Sequence, residues 1–285
     1  MPVRPMLARI STALLVFIWA GIVPLHAQGQ LPSVDASPPI STDRPAVTDS
    51  SVVVPLGSLQ AENGFLETSS QGQNVVDGPE TLIRFGVANR TELRFTLPDY
   101  FYNLNTSPGS GFGDFAFGIK EQLGPTPFKF DVSVVLFLSF PTGANTVSSG
   151  GYDPAFQVPW SRALSANWTA AGMFSVYWPT QGRTRNVAGE STFLLDRQLT
   201  KPWDAFVEYA GDFPEAGGPR HLLHFGTALK IAKEQQIDFH VGVGLSSAAV
   251  DHFVAIGSSF RFQVIGRWGR LSGRTCSLSN RPTRH

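Results

Sequence analysis

A twelve-stranded antiparallel transmembrane β-barrel with an irregular amino-terminal periplasmic segment is the fold this chain predicts, and three features carry the prediction. An export signal opens the chain, long runs alternate apolar and polar residues with period two, and the connections between those runs alternate long and short. Period-two alternation puts successive side chains on opposite faces of a strand. Runs of about nine to twelve residues suit a tilted crossing of a bilayer, and unequal connections suit a barrel with short periplasmic turns and longer outer loops.

The signal is read over residues 1–27. Arg4 and Arg9 supply the positive start, Ile10 to Leu25 is mostly apolar, and Leu25-His26-Ala27 ends on a small residue before Gln28. A retained membrane helix is the alternative; the apolar run is short for one and holds Ser11, Thr12 and Pro24. No later stretch reaches the roughly 18 apolar residues of a spanning helix, so a mature chain in a membrane must close its backbone hydrogen bonds as a barrel.

Residues 28–57 carry Pro32, Pro38, Pro39, Pro45 and Pro55 among serines and aspartates, which predicts irregular structure. This segment starts in the periplasm near the barrel mouth. Asp43 and Arg44, followed by the stiff Pro45, are its plug candidates, folding into the lumen to pair with wall charges; a disordered leader is the alternative.

Strands are expected over 58–69, 80–88, 91–98, 113–123, 129–140, 154–163, 168–178, 187–198, 203–213, 221–231, 236–245 and 252–262, so the barrel occupies 58–262. Lys129 to Phe140 is the clearest: Phe130, Val132, Val134, Leu136, Leu138 and Phe140 share one face, and Lys129, Asp131, Ser133, Val135, Phe137 and Ser139 the other. The ninth strand opposes Trp203, Ala205, Val207, Tyr209 and Phe213 to Asp204, Glu208 and Asp212, and the eleventh opposes Ile237, Phe239, Val241 and Val243 to Asp238, His240, Gly242 and Gly244. Charge or glycine recurs on the polar face, as the crowded interior of a small membrane barrel requires.

That face yields the candidate pore lining: Glu80, Arg84, Glu92, Arg94, Asp114, Lys120, Asp131, Asp204, Glu208, Asp212, Asp238, His240 and Arg261. Glu80, Arg84, Glu92 and Arg94 sit on adjacent strands and read as a structural ion-pair network more than as a solute site. Acidic groups outnumber basic ones in the lining, which favours cations or neutral solutes over anions. Aromatic residues gather at strand ends, with Tyr100, Phe101, Tyr102, Tyr177, Trp178 and Phe213 at one set and Trp168 and Trp203 at the other, the pattern of two interfacial girdles.

Charge and composition narrow the function. Net charge is zero, yet between Gln28 and Phe262 there are 15 basic against 22 acidic residues, because Arg4 and Arg9 fall in the signal and five arginines in the tail 263–285. An acidic body argues against nucleic acid as partner, and an Arg-, Ser- and Gly-rich tail reads as solvated and disordered. Cys276 is the single cysteine, so neither an intrachain disulfide nor a thiolate metal cluster is available. His221 and His224, three apart in a strand, point to opposite faces. Asp238 and His240 share a face but fall short of a metal set or a nucleophile triad, and no P-loop or nucleophile elbow is present. No catalytic, metal or cofactor site is expected, and the chain is not read as an enzyme.

A set of motifs in order sharpens this reading. Ser41-Thr42-Asp43-Arg44-Pro45, Val54-Pro55-Leu56-Gly57-Ser58-Leu59-Gln60-Ala61-Glu62, Pro79-Glu80-Thr81-Leu82-Ile83-Arg84-Phe85-Gly86, Glu92-Leu93-Arg94, Gly111-Phe112-Gly113-Asp114 and Ser139-Phe140-Pro141-Thr142-Gly143 resemble the outer-membrane β-barrel "transporter" family labelled as the MetA pathway of phenol degradation. The resemblance covers about 40 to 262. It implies an outer-membrane channel or transporter for small, hydrophobic or aromatic compounds in a Gram-negative bacterium, with outer-membrane lipid, the barrel-assembly machinery and a small organic solute as partners. Two alternatives stay open: a non-conducting structural or interaction barrel, and a soluble exported β-protein that binds a lipophile in an apolar interior.

Overall fold

The structure, a computed structural model, describes residues 38–105 and 109–265. The expected signal, Cys276 and the tail from residue 266 onward lie outside the described residues.

Strand formation follows the alternation. In chain order the strands are β1 (Ser58–Ser70), β2 (Gln73–Gly78), β3 (Leu82–Gly86), β4 (Thr91–Thr96), β5 (Tyr100–Asn103), β6 (Gly111–Phe112), β7 (Phe115–Gln122), β8 (Asp131–Phe140) and β9 (Asp153–Ala163). There follow β10 (Trp168–Tyr177), the small hairpin β11 (Thr180–Gln181) and β12 (Thr184–Arg185), β13 (Ala188–Thr200), β14 (Trp203–Pro214), β15 (Arg220–Ala232), β16 (Gln235–Gly244) and β17 (His252–Gln263). Twelve of these are staves of one antiparallel sheet in the order β1-β3-β4-β7-β8-β9-β10-β13-β14-β15-β16-β17. It closes on itself through an unbroken β1–β17 ladder from Ser58↔Gln263 to Ser69↔His252. Closure removes the unpaired edges that neither water nor lipid would tolerate.

Three staves are interrupted at one level. β1 pairs with β3 over Leu59–Glu62 and with β2 over Leu66–Ser70, and β2 continues through β5 to β6. The breaks fall at Pro79-Glu80-Thr81, Leu97-Pro98-Asp99 and Gly113-Asp114, where two prolines bring no N–H to a ladder. The outer connections 70–79 and 99–112, expected as plain loops, thus hold strands of their own. Glu80, expected in the second stave, sits in its break at φ 43°. Lys129, expected to begin the fifth stave, lies in the preceding turn at φ 61°, where its N–H bonds Thr126 O; regular pairing starts at Asp131.

Each stave turns one side chain in two outward, and the outward ones are apolar: Leu136 is 52 % exposed, Phe174 58 % and Phe239 47 %. Inward neighbours such as Ser133, Arg84 and Glu208 are wholly buried. An apolar exterior around a charged interior inverts a soluble lipophile-binding barrel and excludes that alternative. Trp168 and Trp203 at the short-turn end, and Tyr100, Tyr102 and Phe213 at the other, are all exposed. Short turns (201–202 and 233–234, for example) lie at the end where β1 begins and β17 stops.

An outward charge on this wall must meet hydrocarbon. Leu136→Arg, near the middle of β8, is expected to cost about 2–4 kcal/mol, read by chemical unfolding in lipid vesicles. A change near zero would mean that the apolar face does not meet lipid.

Candidate functional site

The polar interior is organised by residues 39–57, which run through the lumen without regular secondary structure. Their N–H groups find partners on the wall. Glu62 of β1 accepts from the Asp43 and Arg44 N–H groups at 2.8 and 3.0 Å, and Glu92 of β4 from Val54 N–H at 2.7 Å. Glu208 of β14 accepts from Val47 N–H at 2.8 Å and Thr48 N–H at 2.7 Å, and from the Thr48 hydroxyl at 2.6 Å. A carboxylate holding several donors suits a buried position that would otherwise strand them.

Side chains of the segment answer the wall in return. Asp43 lies among three cations: Arg84 Nη1 at 3.1 Å, Arg94 Nη2 at 2.6 Å and Lys120 Nζ at 3.5 Å. Burial alone would raise its carboxyl, but the combined field of these three holds it well below the usual carboxylate range. Asp49 meets Arg94 at 3.0 Å, yet burial pushes its carboxyl up to about 6 against that single close cation. Arg84 binds Glu92 with two nitrogens at 2.9 and 3.0 Å and Glu62 at 3.0 Å, and also donates to Val52 O at 2.9 Å. The fork of a guanidinium suits this multiple role.

Arg44 lies over the seam between β1 and β17. It donates to Glu80 at 2.5 Å, to Asp238 at 3.3 Å and to His240 Nε2 at 3.3 Å. Its slot is floored by Gly64 of β1 and Gly257 of β17, which face each other across the ladder, and a Cβ on either would collide with the guanidinium. Gly86 serves likewise under the Val54 and Pro55 carbonyls. Here the wall needs glycine for room, not for backbone freedom.

The predicted residues therefore divide. Asp43, Arg44, Glu80, Arg84, Glu92, Arg94, Lys120, Glu208, Asp238 and His240 converge on the segment. Asp114 instead accepts from Gly143 N–H, Ser149 N–H and the Ser148 hydroxyl in the outer loops, and Asp212 pairs with Arg220 and the Tyr177 hydroxyl. Asp204 with Lys230 at 2.7 Å, Arg261 with Glu234 at 2.6 Å, and Asp131 lie at the short-turn end. Sequence reasoning passed over Glu62, Asp49, Thr48 and His224 as site residues. Glu62 and His224 are readable from alternation, sharing faces with Gln60 and with Leu222; Asp49 and Thr48 sit in irregular chain, where no period exists.

Beside the segment lies an open cavity of about 310 Å³, lined by Asp43, Arg44, Asp49, Glu62, Glu80, Arg94, Asp99, Leu82, Thr96, Phe137 and Gln157 among others. Five carboxylates there face two guanidiniums, and the Arg94 guanidinium stacks 5.1 Å over the Phe137 ring.

Residues 42–262 match the family described as "Putative MetA-pathway of phenol degradation". No curated protein sequence matches the chain. Among solved structures, the COG4313 outer membrane channel from Pseudomonas putida F1 is similar with a TM-score of 0.59 at 11 % identity, over 74 % of this chain and 97 % of that one. A KdgM porin in complex with disordered oligogalacturonate is similar with a TM-score of 0.51 at 10 % identity, over 72 % of this chain and 99 % of that one. At these identities the likeness is one of fold, the outer-membrane β-barrel.

Arg84 is the most heavily used cation of the site. Arg84→Met leaves Glu62, Glu92 and Asp43 short of a counter-charge at full burial and is expected to lower unfolding stability by about 3–5 kcal/mol. Chemical unfolding of the purified barrel reads this; a loss below 1 kcal/mol would show the network to be solvated.

Proposed function

Because the chain belongs to the family described as "Putative MetA-pathway of phenol degradation", we propose that it is an outer-membrane channel for small, hydrophobic or aromatic compounds, with residues 39–57 as a plug across its lumen. The observation that carries this is the plug held to several staves of the wall beside an open cavity: Asp43 on Arg84, Arg94 and Lys120, Arg44 on Glu80 and Asp238, and the Val47 and Thr48 N–H groups on Glu208. The family description and the channel and porin of like fold support it. On this reading the chain is exported by a signal cleaved after Ala27 and inserted by the barrel-assembly machinery of a Gram-negative cell, and it carries out no bond chemistry.

The cavity lining supports this solute class. Phe137 offers a ring face and Leu82 an aliphatic one, while the carboxylate excess disfavours anions. A compact aromatic or aliphatic molecule, uncharged or cationic, fits these surfaces. The extent of the plug contacts favours a second reading, a shut structural barrel whose outer loops bind partners.

Two measurements separate them. Arg44→Ala in planar bilayers is expected to raise the conductance several-fold with cation over anion selectivity, and cells making this protein are expected to take up small aromatic compounds faster than cells without it. No conductance in either form and no uptake difference would leave the structural barrel; clear anion selectivity would overturn the solute class.

A further inference from the structure

We propose that His240 and His224 are positioning residues of the plug: they hold the Arg44 guanidinium through a one-directional chain of hydrogen bonds that ends on Glu208, and so set how firmly the lumen is shut. The inference rests on the plug reading and adds residues to it that never touch a solute.

The geometry lies across three neighbouring staves. Arg44 Nη2 is 3.3 Å from His240 Nε2 on β16, His240 Nδ1 is 2.7 Å from His224 Nε2 on β15, and His224 Nδ1 is 2.8 Å from Glu208 Oε2 on β14. A guanidinium has donors and no acceptor. His240 Nε2 must therefore offer its lone pair, which leaves the ring hydrogen on Nδ1. That hydrogen points at His224 Nε2, which must accept, and the His224 hydrogen then lies on Nδ1 and is donated to the carboxylate. The charge on Arg44 thus fixes both tautomers with both rings neutral. No lone pair or proton of either ring is left for a solute or a reaction.

Both ends of the chain return to the plug. It leaves at the Arg44 side chain and comes back through Glu208 to the Val47 and Thr48 N–H groups. Its surroundings are apolar: Phe206 lies 5.3 Å and Phe253 5.1 Å from the His224 ring, and Phe253 5.8 Å from His240. Dry walls strengthen each link and make a missing one costly. Among the described residues Glu80 and Asp238 are the ion-pair partners of Arg44. They neutralise it, whereas His240 is its neutral acceptor and couples it to Glu208 on β14.

Three substitutions at one position separate the roles. A glutamine oxygen can stand where Nε2 stands and accept from Arg44; an asparagine nitrogen can stand where Nδ1 stands and donate to His224, with nothing reaching Arg44; alanine does neither. In planar bilayers His240→Ala and His240→Asn are expected to raise the open-to-shut ratio by about tenfold, the scale of a lost charge-assisted hydrogen bond, while His240→Gln, which keeps the acceptor for Arg44 and loses only the donor to His224, is expected to raise it by about threefold, the scale of a lost neutral hydrogen bond. His224→Asn keeps the donor to Glu208 and removes the acceptor for His240; it alters no bond to the plug, breaks the same link as His240→Gln, and is expected to give the same rise of about threefold. That variant also serves if His240→Ala fails to assemble, assembly being scored by heat-modifiable migration. Arg44→Ala is the reference. If it leaves the channel shut, the plug reading fails; if it opens the channel while His240→Asn and His224→Asn stay shut, the positioning role alone fails. A His240→Gln barrel as open as His240→Ala would overturn the role of the acceptor.

Discussion

Backbone N–H groups meeting wall carboxylates is the interaction on which the rest of this structure depends. An irregular segment in a narrow lumen carries donors that no ladder of its own satisfies, and stranding them costs as much as breaking hydrogen bonds. Glu62, Glu92 and Glu208 take five of these N–H groups from three directions around the barrel. Two of these buried carboxylates draw positive charge, Arg84 and Arg94 standing beside Glu62 and Glu92 at full burial, while Glu208 takes the Thr48 hydroxyl and the His224 ring as further donors. The interior ion-pair network is thus a consequence of how the segment is held.

The two sides of the lumen are built differently. Around β3, β4 and β7 the wall is cationic and takes the Asp43 side chain. Around β14, β15 and β16 it is carboxylate and imidazole, and takes Arg44. Adjacent residues of opposite sign therefore meet different staves, and reversing the pair would set like charges together at both places. Lys120 shows the strain of the cationic side: at full burial its ammonium has only long contacts, 3.5 Å to Asp43 and 3.9 Å to Glu92, and makes no hydrogen bond among the described residues.

Much of the fold was legible because a barrel writes itself in period two. Strand count, closure and the inward or outward sense of Glu92, Arg94, Glu208 or His240 all follow from alternation and connection length. What lay beyond reach has a physical cause in each case. Lys129 continues the alternation by composition, but a turn at positive φ makes the stave begin two residues later. Tyr100 to Asn103 looked like girdle and loop because Leu97-Pro98-Asp99 breaks the pattern, although the chain resumes the ladder beyond. Period also tells which wall residues point inward without telling which of them meet. The convergence on Asp43 of Arg84, Arg94 and Lys120 from three staves depends on sheet register and on the path of a segment without periodicity.

The glycine slot under Arg44 has a consequence for the order of assembly. Gly64 belongs to the first stave and Gly257 to the last, so half of the slot is contributed by residues nearly two hundred positions away. Until the two ends of the sheet are zipped together, the guanidinium has only half a floor, and Asp238 and His240 have not been carried to its side. The segment precedes the barrel in the chain and leaves the ribosome first, yet it can seat only last. Its docking therefore marks a finished cylinder, and the same contacts that hold the segment in the lumen clasp the seam where the cylinder was closed.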